Sequence, residues 1–469
     1  MNKITKIKWL AISGLIFSFL LSSDVWAQRR INYQSLANQQ RKQNVYFDHF
    51  TLPGSQDSTV RFVSTFQLAH SFLPFRKTNE FGEDEQFYSI VSLSMELFRA
   101  EERVNRSRWN RIRVEGLESV QRAFWKDTAY AENYQQTQSN NAFIGGYMQA
   151  ELRPGLYNYL LQLNRDEQSE EETSSVRQAF ISPYGKQPNG NVIFVSDVDS
   201  ESAPSSLELL TFGNNVLYGK DFYAFVLLPE YEPQAAYSYQ IHRVENLEQD
   251  TTIRDQVLER RLTENHFLTK VKPVLDDKKG SPSISITEQQ QGFNYALFKV
   301  PNSELPNAVY QIRVFKEGQK RPVAQRVFRS LWLEMPVSLL NLDVATDMLR
   351  FIESRDTIRD LQSGSRAERE EKFRTYWKAK DPTPETEYNE LMAEYYRRID
   401  YAYEHFTTFN TAGYESDQGQ IYIKYGPPQK VERKFPPGEA AVEIWTYGPS
   451  QQFVFRATSG FGDFRLVSG

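Results

Sequence analysis

The sequence predicts a multidomain chain of β plus α+β class: two β-sandwich modules of immunoglobulin or fibronectin plan, then a C-terminal α+β domain whose helices precede an antiparallel meander. Three observations carry this. Val91-Ser92-Leu93-Ser94-Met95-Glu96-Leu97 alternates strictly, which puts Val91, Leu93, Met95 and Leu97 on one buried strand face. The turn-and-strand phrase Leu152-Arg153-Pro154-Gly155-Leu156-Tyr157 has a counterpart one domain-length later in Leu305-Pro306-Asn307-Ala308-Val309-Tyr310. After Trp332 the apolar period lengthens from that of a strand to that of a helix. The length agrees: 469 residues exceed one ordinary core and suit about three domains of ~150 residues. Aromatic residues at 14% favour pleated faces.

Met1 to Ala27 reads as a leader rather than as fold. Lys3, Lys6 and Lys8 form a basic start, Trp9 to Leu21 an apolar run, and Val25-Trp26-Ala27 a cleavage signal ahead of Gln28. The apolar run is shorter than the ~20 residues a membrane span needs, and no later stretch approaches that length. The mature chain is therefore expected to be exported (periplasmic, outer-envelope-associated or secreted) and to lack a transmembrane span. Removing the leader takes three lysines and one aspartate from 55 basic and 60 acidic residues, leaving a net charge of about −7. No large basic block is present, so nucleic acid is a poor partner. With no cysteine, the chain has no disulfide, thiol chemistry, lipid attachment or Cys-based zinc site, and an exported protein of this kind must rely on its cores.

Residues 28–44 are polar and read as a spacer. The first sandwich is expected over 45–188, with strands at Tyr46–Phe50, Val60–Phe66 and Val91–Leu97. Val176–Ile181 resumes strand patterning, so the acidic run Asp166–Ser175 is a hairpin loop. The second sandwich is expected over 189–333, with strands at Asp221–Leu228, Tyr237–Ile241, Val309–Val314 and Val323–Leu331. In each module a tyrosine near a strand start, Tyr157 or Tyr310, is placed to bond back to the backbone, as at the corner of immunoglobulin-like sandwiches.

The last domain is expected over 334–469. Asn341–Leu361 is a broken helical pattern. Ser365-Arg366-Ala367-Glu368 is a capping box opening a helix in which Phe373 and Trp377 share a face. Asp381-Pro382-Thr383-Pro384 stops that helix, and Thr383 with Pro384 is expected to start the next. Leu391, Tyr395, Ile399, Ala402 and Phe406 make its apolar stripe. Gln420–Tyr425 alternates as a strand, Glu443–Tyr447 and Gln452–Arg456 form a hairpin, and Asp463–Val467 adds a last strand.

At these residues the chain resembles the GWxTD domain family of exported bacterial proteins. The resemblance runs from about Pro336 to Gly469. Its phrases include Phe373-x-x-x-Trp377, Asp381-Pro382-Thr383-Pro384, Glu394-Tyr395-Tyr396-Arg397-Arg398, Gly419-x-Ile421-Tyr422-Ile423-x-Tyr425-Gly426-Pro427-Pro428, Glu443-Ile444-Trp445 and Phe461-Gly462-Asp463-Phe464. The naming motif departs: Gly413-Tyr414-Glu415-Ser416-Asp417 carries Tyr for Trp and Ser for Thr, keeping an aromatic plate and a hydroxyl. The resemblance implies an exported protein with β-rich modules ahead of this domain, and no particular activity.

Candidate chemistry gathers in the same stretch. Glu390 and Glu394 lie one helical turn apart and, with His405 and Asp417, are the catalytic candidates, as carboxylates that share a proton or hold a cation. A lattice in which Glu394 pairs with Arg397 and Arg398 explains the same residues, and Asp417 between two glycines suits a turn. None of the five histidines (His49, His70, His242, His266, His405) is paired at metal-ligand spacing, so no metal or cofactor is assigned. Candidates for a binding surface are Tyr396, Arg397, Arg398, Tyr414 and Tyr425, since tyrosine suits half-wet interfaces. The leading expectation is a non-enzymatic envelope or secreted protein that engages a protein or glycan. The alternative is a hydrolase or metal-dependent enzyme with a carboxylate site in the last domain.

Overall fold

The computed structural model describes residues 31–39, 43–78, 86–166, 172–186, 191–201, 203–248, 251–276, 282–458 and 463–469. The leader with its Ala27–Gln28 junction, the centre of the acidic loop and most of the boundary between the sandwiches lie outside them. The chain forms two compact units. A β unit comprises Lys42–Glu334 with Pro382–Glu390, and a C-terminal unit comprises Met335–Asp381 and Leu391–Gly469 with the described residues 31–39.

The first module of the β unit is built from β1 (Val45–Pro53), β2 (Val60–Ala69), β3 (Arg76–Lys77), β4 (Phe87–Arg99), β5 (Gln121–Ala131), β6 (Phe143–Leu152), β7 (Gly155–Asn164) and β8 (Glu172–Ile181). Strands β1-β2-β6 form one sheet; β3-β4-β7-β8, with β5 on β4, form the other. Alternation holds as expected: Val91, Leu93, Met95 and Leu97 of β4 are buried against Phe62, Phe66, Met148 and Leu152 of the facing sheet.

The second module contains β9 (Val192–Val198), β10 (Ser206–Leu209), β11 (Asn215–Leu217), β12 (Phe222–Leu227), β13 (Tyr237–Val244), β14 (Ile253–Leu262), β15 (Phe267–Asp276), β16 (Ser283–Glu288), β17 (Phe293–Val300), β18 (Val309–Lys316) and β19 (Ala324–Leu331). Strands β10-β16-β15-β17-β12-β9 close into a ring, and β11-β19-β18-β13-β14 form a sheet. The ring explains the unbroken apolar runs Val192–Val195 in β9, Phe222–Leu227 in β12 and Tyr295–Phe298 in β17: both faces are covered over these residues. Phe194, Ala224 and Phe298 face the five-stranded sheet. Val195, Phe225 and Leu297 turn the other way, into a cluster shared with Phe50, Leu52 and Val63 of the first module. The two modules thus share a core, and Arg326, held in its own module by the Val192 carbonyl at 2.8 Å, ties them further through Asp48 at 2.5 Å.

Both corner tyrosines do what their spacing implies. Tyr157 donates to the Arg153 carbonyl at 2.8 Å and Tyr310 to the Pro306 carbonyl at 2.7 Å. Gly155 in the first corner has a φ of +155°, a backbone conformation that L side chains rarely adopt.

In the C-terminal unit, α1 (Tyr33–Gln39) is followed by α2 (Leu342–Met348), α3 (Arg355–Leu361), α4 (Arg366–Lys378), α5 (Glu390–Phe406) and α6 (Asp417–Tyr425). An antiparallel sheet then runs in order β20 (Lys430–Lys434), β21 (Val442–Thr446), β22 (Gln452–Ala457) and β23 (Phe464–Ser468). The capping box at α4 forms, Ser365 and Glu368 each taking the other's backbone amide. Tyr395, Ile399 and Ala402 of α5 are buried as expected.

Four local expectations are corrected. Thr383 and Pro384 do not begin a helix: α5 starts at Glu390, and residues 382–390 pack on the β unit. There the Glu387 amide donates to the Ser303 carbonyl at 2.9 Å and the Tyr388 ring lies against Trp332 and Tyr218. Leu391 is consequently at the exposed start of the stripe, 47% accessible. Gln420–Tyr425 is helical, not a strand, because Ser416 caps the Gly419 amide at 3.0 Å and launches α6. Within the expected spacer, Tyr33–Gln39 is a helix whose tyrosine joins the core of the C-terminal unit.

Tyr310→Phe is expected to lower stability by about 1–2 kcal/mol, read as a lower denaturation midpoint at unchanged m, because the Pro306 carbonyl loses its donor. Burial pushes the Tyr310 phenol up to about 12. Its contribution is complete below the unfolded value near 10 and is lost as pH rises toward 12, so the variant should show a shallower alkaline loss of stability than the parent.

Candidate functional site

The naming motif folds as a single tight turn laid on the end of α5. Gly413 has no room for a side chain, since a Cβ would fall 1.9 Å from the Ala402 carbonyl oxygen. Its amide donates to Thr407 Oγ1 at 2.8 Å, and Ser416 Oγ returns to the Gly413 carbonyl at 2.7 Å. This turn points the Tyr414 ring inward and Glu415 outward. Tyr414 is buried, edge-on to Tyr33 at 5.2 Å, with the Arg350 guanidinium 5.7 Å from its centre. Arg350 pairs with Asp347 and, at 3.3 Å, with Glu415.

Beside this turn lies a cleft of about 1050 Å³. Tyr33 and Tyr414 belong to its apolar lining. Asp343, Asp347 and Glu415 contribute carboxylates, and Arg350, Arg366 and Arg369 guanidiniums. The charges are largely matched: Arg369 pairs with Asp343, and Arg350 with Asp347 and Glu415. Asn32, Asn341 and Gln362 add neutral donors and acceptors. With Tyr33 and Tyr414 buried in its floor, the cleft offers a ligand mainly fixed hydrogen-bonding groups, which suit a polar ligand with many hydroxyl or amide groups.

The catalytic candidates are not gathered at one point; each has its own partner. Glu390 accepts from Thr383 Oγ1 at 2.6 Å. Glu394 pairs with Arg397 at 3.2 Å and Arg398 at 2.9 Å. Asp417 accepts the Leu466 amide of β23 at 2.8 Å rather than an amide of its own turn. His405 is exposed and stacked on Tyr401 at 3.8 Å. Asp381, at the end of α4, is half-buried.

The binding candidates divide. Tyr396 is fully buried, its hydroxyl on the Ala345 carbonyl at 2.7 Å. Arg397 and Arg398 are held by Glu394. Tyr425 is 46% exposed against Tyr447 and Phe453. Of the nine candidates, the cleft takes in Tyr414.

Three polar groups escaped the sequence reading. Tyr33 is buried to 2%, and its hydroxyl donates to Asp400 Oδ1 at 2.7 Å; burial first, and Asp400 second, hold this phenol far above its ordinary range. Asp400 Oδ2 also accepts the Val337 amide at 3.0 Å. Glu443, 2% exposed, accepts from Gln418 at 3.0 Å, Trp445 Nε1 at 2.6 Å and Arg433 at 2.5 Å, which ties α6 to the sheet. Spacing held a signal for two of them. Asp400 lies one turn from both Tyr396 and Tyr403 on the aromatic side of α5, and Glu443 shares the inward face of β21 with Trp445.

Gly413→Ala is expected to cost about 1–3 kcal/mol or more through the forced contact with Ala402, with Tyr414 fluorescence and near-ultraviolet dichroism changing along with the melting temperature. A variant that melts with the parent would show that the turn does not need the glycine.

No curated protein matches the chain. Among solved structures, red sea bream transglutaminase matches at 10% identity and a TM-score of 0.16, over 64% of this chain and 32% of that one. The chain thus spans about a third of that protein. Residues 338–463 match the GWxTD domain, over α2 to α6, the Gly413–Asp417 turn and β20 to β22, and this region of the chain belongs to that domain family.

Proposed function

We propose that the protein is exported to the cell envelope or secreted, and that it binds a protein or glycan partner without carrying out chemistry on it. The observation that carries this reading is the cleft beside Tyr414, with its neutral amide side chains and matched carboxylate–guanidinium pairs. Such a lining offers directional hydrogen bonds to a polar chain while leaving little net field to attract a free ion. The alternative hydrolase or metal-dependent reading needs Glu390, Glu394, His405 and Asp417 to act together. Their separate structural partners favour the binding reading. The basic, apolar and small-residue succession of Met1–Ala27 supports export.

Protein isolated from its native cells should begin at Gln28 by N-terminal sequencing; a chain that retains Met1 in the cytoplasm would overturn the export reading. A photo-cross-linker at Gln362, on the cleft wall, should capture one envelope protein or glycan, and Glu415→Arg should reduce that capture at least about tenfold, because it places a cation beside Arg350 and leaves the pair unmatched. Stoichiometric metal in the purified chain, with a melting temperature that falls when the metal is chelated, would overturn the non-catalytic reading.

A further inference from the structure

The N-terminal segment sits in the C-terminal unit as a bound peptide would. Its helix α1 has seven residues, well below the length at which an isolated helix holds in water, so its order comes from what it docks against. Tyr33, Leu36 and Ala37 are the residues that meet the core, a spacing of i, i+3, i+4, whereas Gln34 and Asn38 stay exposed. That is the pattern of a helix laid in a groove by one anchor and two flanking contacts. The anchor slot is built for a phenol. Tyr403 and Tyr414 lie 5.0 and 5.2 Å from the Tyr33 ring, each edge-on, and Asp400 waits at its end to accept the hydroxyl. Asp400 is oriented independently of its guest, because its second oxygen takes the Val337 amide. Asn32 caps the segment by accepting the Ser35 amide at 2.9 Å. The only covalent path from this segment to its slot runs through the whole β unit.

We propose that the Tyr33 slot is a peptide-binding site of the C-terminal unit, filled by the chain's own N-terminal segment and open to exchange with the same segment supplied in trans. Its ligand class is a short helical peptide with a tyrosine anchor and small or aliphatic residues three and four places on. Asn32 and Tyr33 also line the cleft, so vacating the slot widens it. This holds whatever the cleft binds.

The test uses the full mature chain with a specific protease site in place of residues 40–42. After cutting, the segment should co-elute with the remainder on size exclusion, held without a covalent link. Incubation with excess fluorescent peptide of residues 28–41 should replace it, and the uncut chain should take up none. A Tyr33→Phe peptide should compete about tenfold or more weakly, for loss of the hydrogen bond to a carboxylate. A Tyr33→Ala peptide should not compete. Because excess peptide refills the slot as soon as the segment leaves, the slot is vacant only transiently, and a fold that fails on prolonged vacancy does not obscure the result. Release of the segment on cutting, retention with no exchange, equal uptake by the uncut chain, or equal competition by the Tyr33→Ala peptide would each overturn the proposal. Loss of capture at the Gln362 cross-linker with exchange intact would instead count against the cleft alone.

Discussion

A tyrosine ring taken out of water carries a hydroxyl that must find an acceptor, at a cost of about 1–3 kcal/mol if it does not. Much of this structure follows from where those acceptors are. Tyr157 and Tyr310 return to carbonyls of their own corners. Tyr395 and Tyr396, side by side on α5, reach the Met348 and Ala345 carbonyls and so fix α5 against the end of α2. Tyr447 of the sheet takes the Gly426 carbonyl where α6 ends. Tyr33 takes Asp400. In a chain without cysteine, these rings fill cores while their hydroxyls set the register between elements. A leucine at the same positions would pack but would not aim.

The β unit meets the same need for order in a different way. In its ring, β9, β12 and β17 turn one set of residues toward the five-stranded sheet and the other into a core that all six ring strands share with the neighbouring module. The ion pair across that junction, Asp48 with Arg326, is itself nearly closed to solvent, with side chains 14% and 12% exposed. A buried pair of this kind adds little net stability but penalises any packing that separates its members. The junction is therefore selective about geometry as well as apolar.

The sequence was most legible where one face is dry and the other wet. Val91–Leu97, the capping box at Ser365, the Tyr395–Ala402 stripe and both corner tyrosines follow from period and spacing, and the structure places each as read. Legibility failed where both faces are occupied. Ile421 and Tyr422 of α6 pack toward Trp445 while Ile423 packs toward Tyr396 and Ile399, so the helix shows an alternation that mimics a strand. The candidate site was legible only in part. Tyr414 was found because it lies in a motif, whereas its neighbour Tyr33 lies in a polar stretch whose fold depends on residues hundreds of positions away. The density of charge between Asp381 and Asp417 suggested chemistry, but the helix end, the capping turn and the sheet edge each required one of those groups.

The pairing of Tyr33 with Asp400 spans 367 positions of sequence. A chain made from its N-terminus exposes the anchor long before the acceptor, so the Tyr33 segment settles only after α5 has been made. Closing so long a loop costs only modestly more entropy than closing a short one, but it ties completion of the C-terminal core to the synthesis of everything between Tyr33 and Asp400. A chain that stops short of α5 leaves its tyrosine unsatisfied at the start. The anchor and its acceptor therefore act as a check that the chain between them has been made.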